Sequence, residues 1–169
     1  TKFEGLKDGK YSLEETAVPE GYTTVTKFTF TVENGKVKDV STVTDGKAYV
    51  DEDGHLVVED AKSGIVIDKL ALGATPIPES AGKATFVLAV EETGKTLEGV
   101  TVGEGEKAKT LTADDKSVTF EGNSAKFEGL KDGKYSLEET VAPDGYTTVT
   151  KFTFTVEDGK VTDVSTVTD

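Results

Sequence analysis

Lys69, Glu15, Glu139 and Asp60 are the residues of this chain whose types and placement suggest chemistry. They stand where a side-chain period of two points them at apolar surroundings. In Tyr11-Ser12-Leu13-Glu14-Glu15-Thr16 the face that carries Tyr11 and Leu13 also carries Glu15, and a second stretch repeats this as Tyr135, Leu137 and Glu139. In Ile65-Val66-Ile67-Asp68-Lys69 the isoleucines share their face with Lys69. In His55-Leu56-Val57-Val58-Glu59-Asp60 the face of Leu56 and Val58 ends on Asp60. Buried ionisable groups are costly unless they pair, neutralise or react. Two readings follow. Either these strand ends lie at a rim where each charge reaches water, or the three kinds of group meet in one core. In the second case desolvation favours a neutral, nucleophilic amine and a protonated carboxyl group able to polarise a neighbour as a general acid. The amine would then attack the aspartate Cγ, giving an intramolecular isopeptide bond and one water, formed once and without turnover.

The elements that position these groups belong to a repeat. Residues 1–45 realign with residues 125–169 at an offset of 124. Six positions differ: Thr1/Ala125, Ala17/Val141, Val18/Ala142, Glu20/Asp144, Asn34/Asp158 and Lys38/Thr162. A chain of 169 residues with this period holds one full period and a fraction, as expected of a piece cut out of phase from an array of near-identical modules. Helix-period stripes are missing, while Thr, Val, Phe and Tyr alternate with polar residues. Tyr22–Glu33 reads as one half-buried strand with Tyr22, Phe28, Phe30 and Val32 on its apolar face. Asn34-Gly35 then signals a tight hairpin, with Asp158-Gly159 in the same place in the second copy. Further turns are expected at Asp8-Gly9, Asp53-Gly54, Thr93-Gly94, Gly122-Asn123 and Asp132-Gly133. Residues 74–82, with two prolines, read as a loop. The whole predicts an all-β, antiparallel β-sandwich.

Composition narrows the function. The formal net charge is −13, and all 19 basic residues are lysine. Nucleic acid is an unsuitable partner for such a surface, which repels phosphate and offers no guanidinium forks. No apolar run approaches the ~20 residues of a membrane span, so no membrane insertion is expected. Cysteine is absent, which removes disulfides, thiolate metal sites and thiol nucleophiles. Methionine is absent too, so the sequence reads as a mature or excised segment, with any signal peptide or anchor outside it. No metal site and no cofactor are expected. An EF-hand spacing around Asp51-Glu52-Asp53-Gly54 would put its first ligand at Tyr49, and His55, the one histidine, has no cysteine to work with. That acidic run reads as a solvated turn. No nucleophile elbow, Ser/His/Asp order or phosphate loop supports an enzyme, and residues 104–109 read as an exposed hairpin or loop.

The string Gly-Lys-Tyr-Ser-Leu-Glu-Glu-Thr-Val-Ala-Pro-Asp-Gly-Tyr at 133–146 resembles the Y-x-L-x-E-T-x-A-P-x-G-Y signature of collagen-adhesin B-type repeat domains (CnaB-like, as in SpaA-like pilins) of Gram-positive surface proteins. Ile65–Lys69 is similar to that family's first strand, Ala84-Thr-Phe-Val-Leu88 to the segment that follows, and His55–Ala61 to its last strand. The first copy departs from the box, reading Ala17-Val18-Pro19-Glu20. Many members use asparagine as acceptor, whereas Asn34 and Asn123 here fall in turns. The resemblance implies a prealbumin-like (reverse Ig-like) sandwich with Lys69 as isopeptide donor, Glu139 and its copy Glu15 as catalytic acids, and Asp60 as acceptor. It also implies a phase: residues 1–62 as the C-terminal part of one module, and residues 63–169 as the N-terminal and central part of the next, lacking its last strand. In the family the first and last strands lie side by side and parallel, which needs a crossover of a dozen or more residues. Lys69 and Asp60 are nine residues apart. A bond between them is therefore expected to join different chains, or these residues are a window on a continuous polymer. The expected role is a structural stalk module of a repetitive cell-surface adhesin or pilus, extracellular and associated with the cell wall. Its partners would be neighbouring copies of the module and, through a tip elsewhere, a host surface protein. The alternative is a ligand-binding adhesin module that recognises a host matrix protein or glycan.

Overall fold

The computed structural model describes residues 4–165, so residues 1–3 and 166–169, the outer ends of the repeat, lie outside the description. The chain divides into two compact units, Thr1–Lys62 and Ser63–Asp169.

The first unit holds β1 (Gly9–Leu13), β2 (Tyr22–Thr23), β3 (Phe28–Glu33), β4 (Lys36–Lys38), β5 (Gly46–Val50) and β6 (Leu56–Lys62). They form two three-stranded sheets, ordered β1-β3-β4 and β2-β6-β5. Alternation places Phe28, Phe30 and Val32 inward, and these with Val25 make a small core against which Tyr11, Leu13, Val37, Val40, Ala48 and Leu56 pack. The β3–β4 turn has Asn34 and Gly35 at φ 51° and 72°, the double left-handed geometry of a type I′ hairpin. Asp158 and Gly159 repeat it at 49° and 70°.

The second unit holds β7 (Gly64–Asp68), β8 (Leu70–Ala71), β9 (Thr75–Pro76), β10 (Thr85–Val90), β11 (Thr101–Val102) and β12 (Lys109–Thr110). It continues with β13 (Ser117–Glu121), β14 (Ser124–Glu128), β15 (Gly133–Val141), β16 (Phe152–Glu157) and β17 (Lys160–Thr162). A five-stranded sheet runs β13-β10-β15-β16-β17 and a four-stranded one β12-β11-β14-β7, with β8 and β9 as a separate ribbon. Phe86, Leu88, Leu97, Val100, Phe127, Leu130, Tyr135, Leu137, Phe154 and Val156 form one buried core. Every strand pair among the described residues is antiparallel, and the architecture is an all-β sandwich.

One expected element is different. Tyr22–Glu33 is not a single strand: β2 pairs with β6 in one sheet, residues 24–27 leave the strand conformation, and β3 pairs with β1 in the other sheet. The crossing breaks the alternation, so Tyr22 is exposed and Val25 is the buried residue. The physical reason is a carboxylate that claims the Val25 N–H as the chain passes between sheets. Residues 74–82 are largely loop, with a short edge strand at Thr75–Pro76 and a single 3-10 turn at Glu79–Ala81. Residues 104–109 contain an exposed 3-10 turn at Gly105–Lys107.

Candidate functional site

Strand β15 delivers Glu139. Its side chain shares the inward face with Tyr135 and Leu137, and the three residues are 5%, 4% and 2% exposed. Beside it β15 carries a bulge against β10: Phe86 faces Glu139 and Thr85 faces Val141, leaving Thr140 as the extra residue. Such a bulge bends the strand end and fixes where the neighbouring side chain aims. Lys69 follows β7 directly, and its backbone N–H donates to the Asn123 carbonyl at 2.8 Å. Its Nζ lies 3.1 Å from Glu139 Oε2, with the lysine side chain 10% exposed and the glutamate side chain fully buried.

Glu139 Oε2 also accepts the Val149 N–H at 2.7 Å. Its other oxygen, Oε1, is buried and has no hydrogen-bond partner among the described residues. An orphaned oxygen beside a paired one is a site with one acceptor position unused. A cleft of about 830 Å³ opens beside Lys69, bordered by Lys69–Ala74 on one side and Gly145–Val149 on the other.

The first unit holds the copy with a different companion. Glu15 Oε2 accepts the Val25 N–H at 2.9 Å, the same clamp on the same repeat position. Here the neighbour is Asp60, from β6. Burial, and then the charge and hydrogen bond of Glu15, raise Asp60 above its ordinary value of 3.8. That direction holds Asp60 toward its neutral form relative to an exposed aspartate. Neutral carboxyl carbon is the electrophile an amine can attack; carboxylate carbon is not.

The two units therefore show two halves of one constellation. Glu139 meets the lysine, and its copy Glu15 meets the aspartate. Alternation gives the inward aim of Glu139, but on β6 it fails: Val58, expected inward with Leu56 and Asp60, is exposed, and Asp60 and Glu15 are half-buried. The backbone donors at Val25 and Val149 were not visible to it, because an N–H leaves no mark on side-chain pattern; the repetition of Gly-Tyr-Thr-Thr-Val at both sites is the one available signal.

Both asparagines are occupied structurally. Asn34 forms the type I′ turn, and Asn123 accepts from the Ala84 N–H at 3.0 Å while donating to the Gly82 carbonyl at 3.1 Å. At the acidic turn, Asp51, Asp53 and His55 bring ligand atoms within 4.8 Å of one another. The Asp51 carboxylate is already engaged there, accepting from the Asp53 and His55 N–H groups at 3.0 and 2.8 Å and lying 3.1 Å from His55 Nδ1. Those bonds hold it below its ordinary value and explain the convergence as a turn.

Among the described residues no helix is long and apolar enough to cross a membrane. No curated protein and no solved structure matches the chain significantly. The family described as SpaA, a prealbumin-like fold domain, matches residues 1–47 and 50–169. With nearly the whole length matched and an all-β sandwich carrying the expected strand patterns, the chain belongs to the SpaA prealbumin-like fold domain family, a pilin- or adhesin-type module.

Proposed function

We propose that the chain is a structural stalk segment of a repetitive adhesin or pilus, extracellular and wall-associated, whose modules are stapled by a self-formed Lys–Asp isopeptide bond. One observation carries this reading: the same clamped glutamate is met by an amine in one unit and by an aspartate carboxyl group, held above its ordinary value by burial, in the other. In a complete module the two partners would face one glutamate together. The Lys69 ammonium first passes a proton to the glutamate carboxylate 3.1 Å away, and the freed amine attacks Cγ of an Asp60 carboxyl group so that the Nζ–Cγ bond forms. The glutamate donates a proton to the carboxyl oxygen and recovers one from nitrogen, the Cγ–OH bond breaks, and water leaves. Glu139 serves the lysine of its own unit, and Glu15 serves a lysine supplied by a preceding module. The reaction occurs once per site, so the protein is not an enzyme in the turnover sense.

The bond joins neighbouring copies, in tandem or between chains. A covalent tie between terminal strands would stop a pulling force from peeling them apart, as disulfides do in other secreted folds. The test is intact mass together with denaturing electrophoresis. Each bond removes one water and creates a species that survives detergent, and a Glu139→Ala chain gives neither. A species of unchanged mass in a complete module overturns the staple and leaves a plain repetitive spacer. A second reading, a module that recognises a host matrix protein or glycan, has the exposed Leu70 and Leu72 at the lip of the cleft in its favour. Binding of the chain to immobilised matrix proteins, lost in a Leu72→Ser variant, would support it.

A further inference from the structure

Lys69 and Glu139 reach one another from different sheets. Lys69 continues β7 in the four-stranded sheet, and Glu139 stands on β15 in the five-stranded one. At this end of the sandwich the two sheets are joined by the corner Gly122-Asn123, where the chain leaves β13 in one and enters β14 in the other. The corner extends both ladders by one step. Thr85 faces Glu121, and the next bond runs from the Gly122 N–H to the Ala84 carbonyl at 2.9 Å. Ser124 faces Asp68, and the next bond runs from the Lys69 N–H to the Asn123 carbonyl at 2.8 Å. The Asn123 side chain then ties the ladders together. Its Oδ1 accepts the N–H of the buried Ala84 at 3.0 Å, and its Nδ2 donates to the Gly82 carbonyl at 3.1 Å. The same short segment holds the other half of the site. Ala81 accepts the Asp144 N–H at 2.7 Å, and Asp144 lies in the loop that leads from β15 to Val149, the backbone donor to Glu139.

We propose that Asn123 is the positioning residue of the lysine–glutamate pair, holding Lys69 at 3.1 Å from Glu139 by locking one sheet's end to the other. It acts through the main chain: its carbonyl sets Lys69, and its amide sets the start of β10, where Phe86 faces Glu139 two residues beyond Ala84. A carboxamide suits this corner because it offers an acceptor and a donor at once, to main-chain groups two residues apart. Truncating it leaves the buried Ala84 N–H without its acceptor, a cost the corner relieves by moving away. The Asn123 carbonyl moves with the corner, and Lys69 follows. A displacement of about 1 Å between reacting groups is enough to cost on the order of a hundredfold in rate.

What the positioning is for rests on the staple proposed above, so the test reads the geometry separately from the bond. The full chain is compared with Asn123→Ala and with Leu97→Ala, which loosens the same core by packing alone. Asn123→Asp, which keeps an acceptor for Ala84 and loses the Gly82 bond, carries the test if Asn123→Ala does not fold. Two signals report the pair in folded protein. One is acetylation of Lys69 by trace acetic anhydride, counted by mass spectrometry against Lys47, whose side chain is 75% exposed where that of Lys69 is 10%. The other is the side-chain carboxyl carbon of Glu139 in NMR spectra. The expected result is a several-fold rise in Lys69 acetylation and a moved Glu139 signal in Asn123→Ala, smaller changes in Asn123→Asp, and neither in Leu97→Ala. The detergent-resistant joined species should form about tenfold or more slowly in Asn123→Ala at equal concentration. An Asn123 variant with Lys69 still protected and Glu139 unmoved, or one that joins at the parent's rate, would overturn the proposal. Changes of the same size in Leu97→Ala would overturn it too, since general loosening would then be the cause. Failure of the staple alone appears as no joined species in any chain, the parent included, while Lys69 acetylation still rises in Asn123→Ala and supports the positioning.

Discussion

Removing Lys69 while keeping Glu139 tests whether these two groups act as a buried unit. Lys69→Met preserves most of the stem volume and deletes the ammonium. The fully buried Glu139 carboxylate then keeps only the Val149 N–H, with Oε1 still unpaired. Breaking one partner from a buried pair costs about 3 kcal/mol, roughly a hundredfold in the folded-to-unfolded ratio. Glu139→Gln leaves an acceptor for Val149 but strands the lysine, at a cost of about 2 kcal/mol. In the double variant both replacement side chains are neutral and neither strands a charge, so its cost should fall short of the sum by about 2 kcal/mol. Urea unfolding followed by the amide signals of Leu88 and Phe127 reports the second unit, and Phe28 and Val32 serve as an internal reference in the first. Costs that add within about 0.5 kcal/mol would refute the coupling and place both groups at a solvated rim.

Other outcomes follow from the same structure. Asp60 titrates above its unfolded value, so its contribution to stability is complete below about pH 4 and is lost as pH rises through its folded value. The first unit of an Asp60→Asn chain should therefore lack this decline when unfolding is compared at acid and neutral pH, and identical pH profiles would contradict the contact with Glu15. Leu137→Ala should destabilise its unit by about 3 kcal/mol, and Leu13→Ala, at the half-buried copy, by distinctly less, as read by denaturant midpoints. Gly46→Ala should cost the first unit about 1–3 kcal/mol, because a Cβ there collides with the Glu59 carbonyl oxygen and meets Val25 Cγ2 at 2.7 Å; an unchanged melting temperature would show that β5 and β6 are held more loosely.

How far the sequence could be read depended on what carries each signal. The inward aim of Glu139 follows from Tyr135 and Leu137 by alternation, and β15 keeps all three buried up to its bulge, with Ser136 buried as well on the other face. The type I′ turns follow from Asn-Gly and Asp-Gly, which tolerate two successive left-handed residues. The same alternation failed across Tyr22–Glu33, because a period of two assumes one sheet, and there the chain passes from one sheet to the other. The Thr140 bulge and the backbone clamps at Val25 and Val149 are set by register and main-chain donors, neither of which a side-chain pattern records. Lys69 shows the limit most clearly: parity gave its direction, while its 3.1 Å approach to Glu139 depends on β7 pairing with β14.

The central claim is the condensation of an amine with a carboxyl group beside a clamped glutamate. Tandem mass spectrometry of the digested, concentrated chain, after detergent electrophoresis has separated monomer from multimer, tests it most directly. The account predicts a multimer band containing a Lys69 peptide joined to an Asp60 peptide, one water lighter than the pair, and absent from the Glu139→Ala chain. A Lys69 that remains a free amine in every band, or a Lys69–Asp60 link found in the monomer, would contradict it.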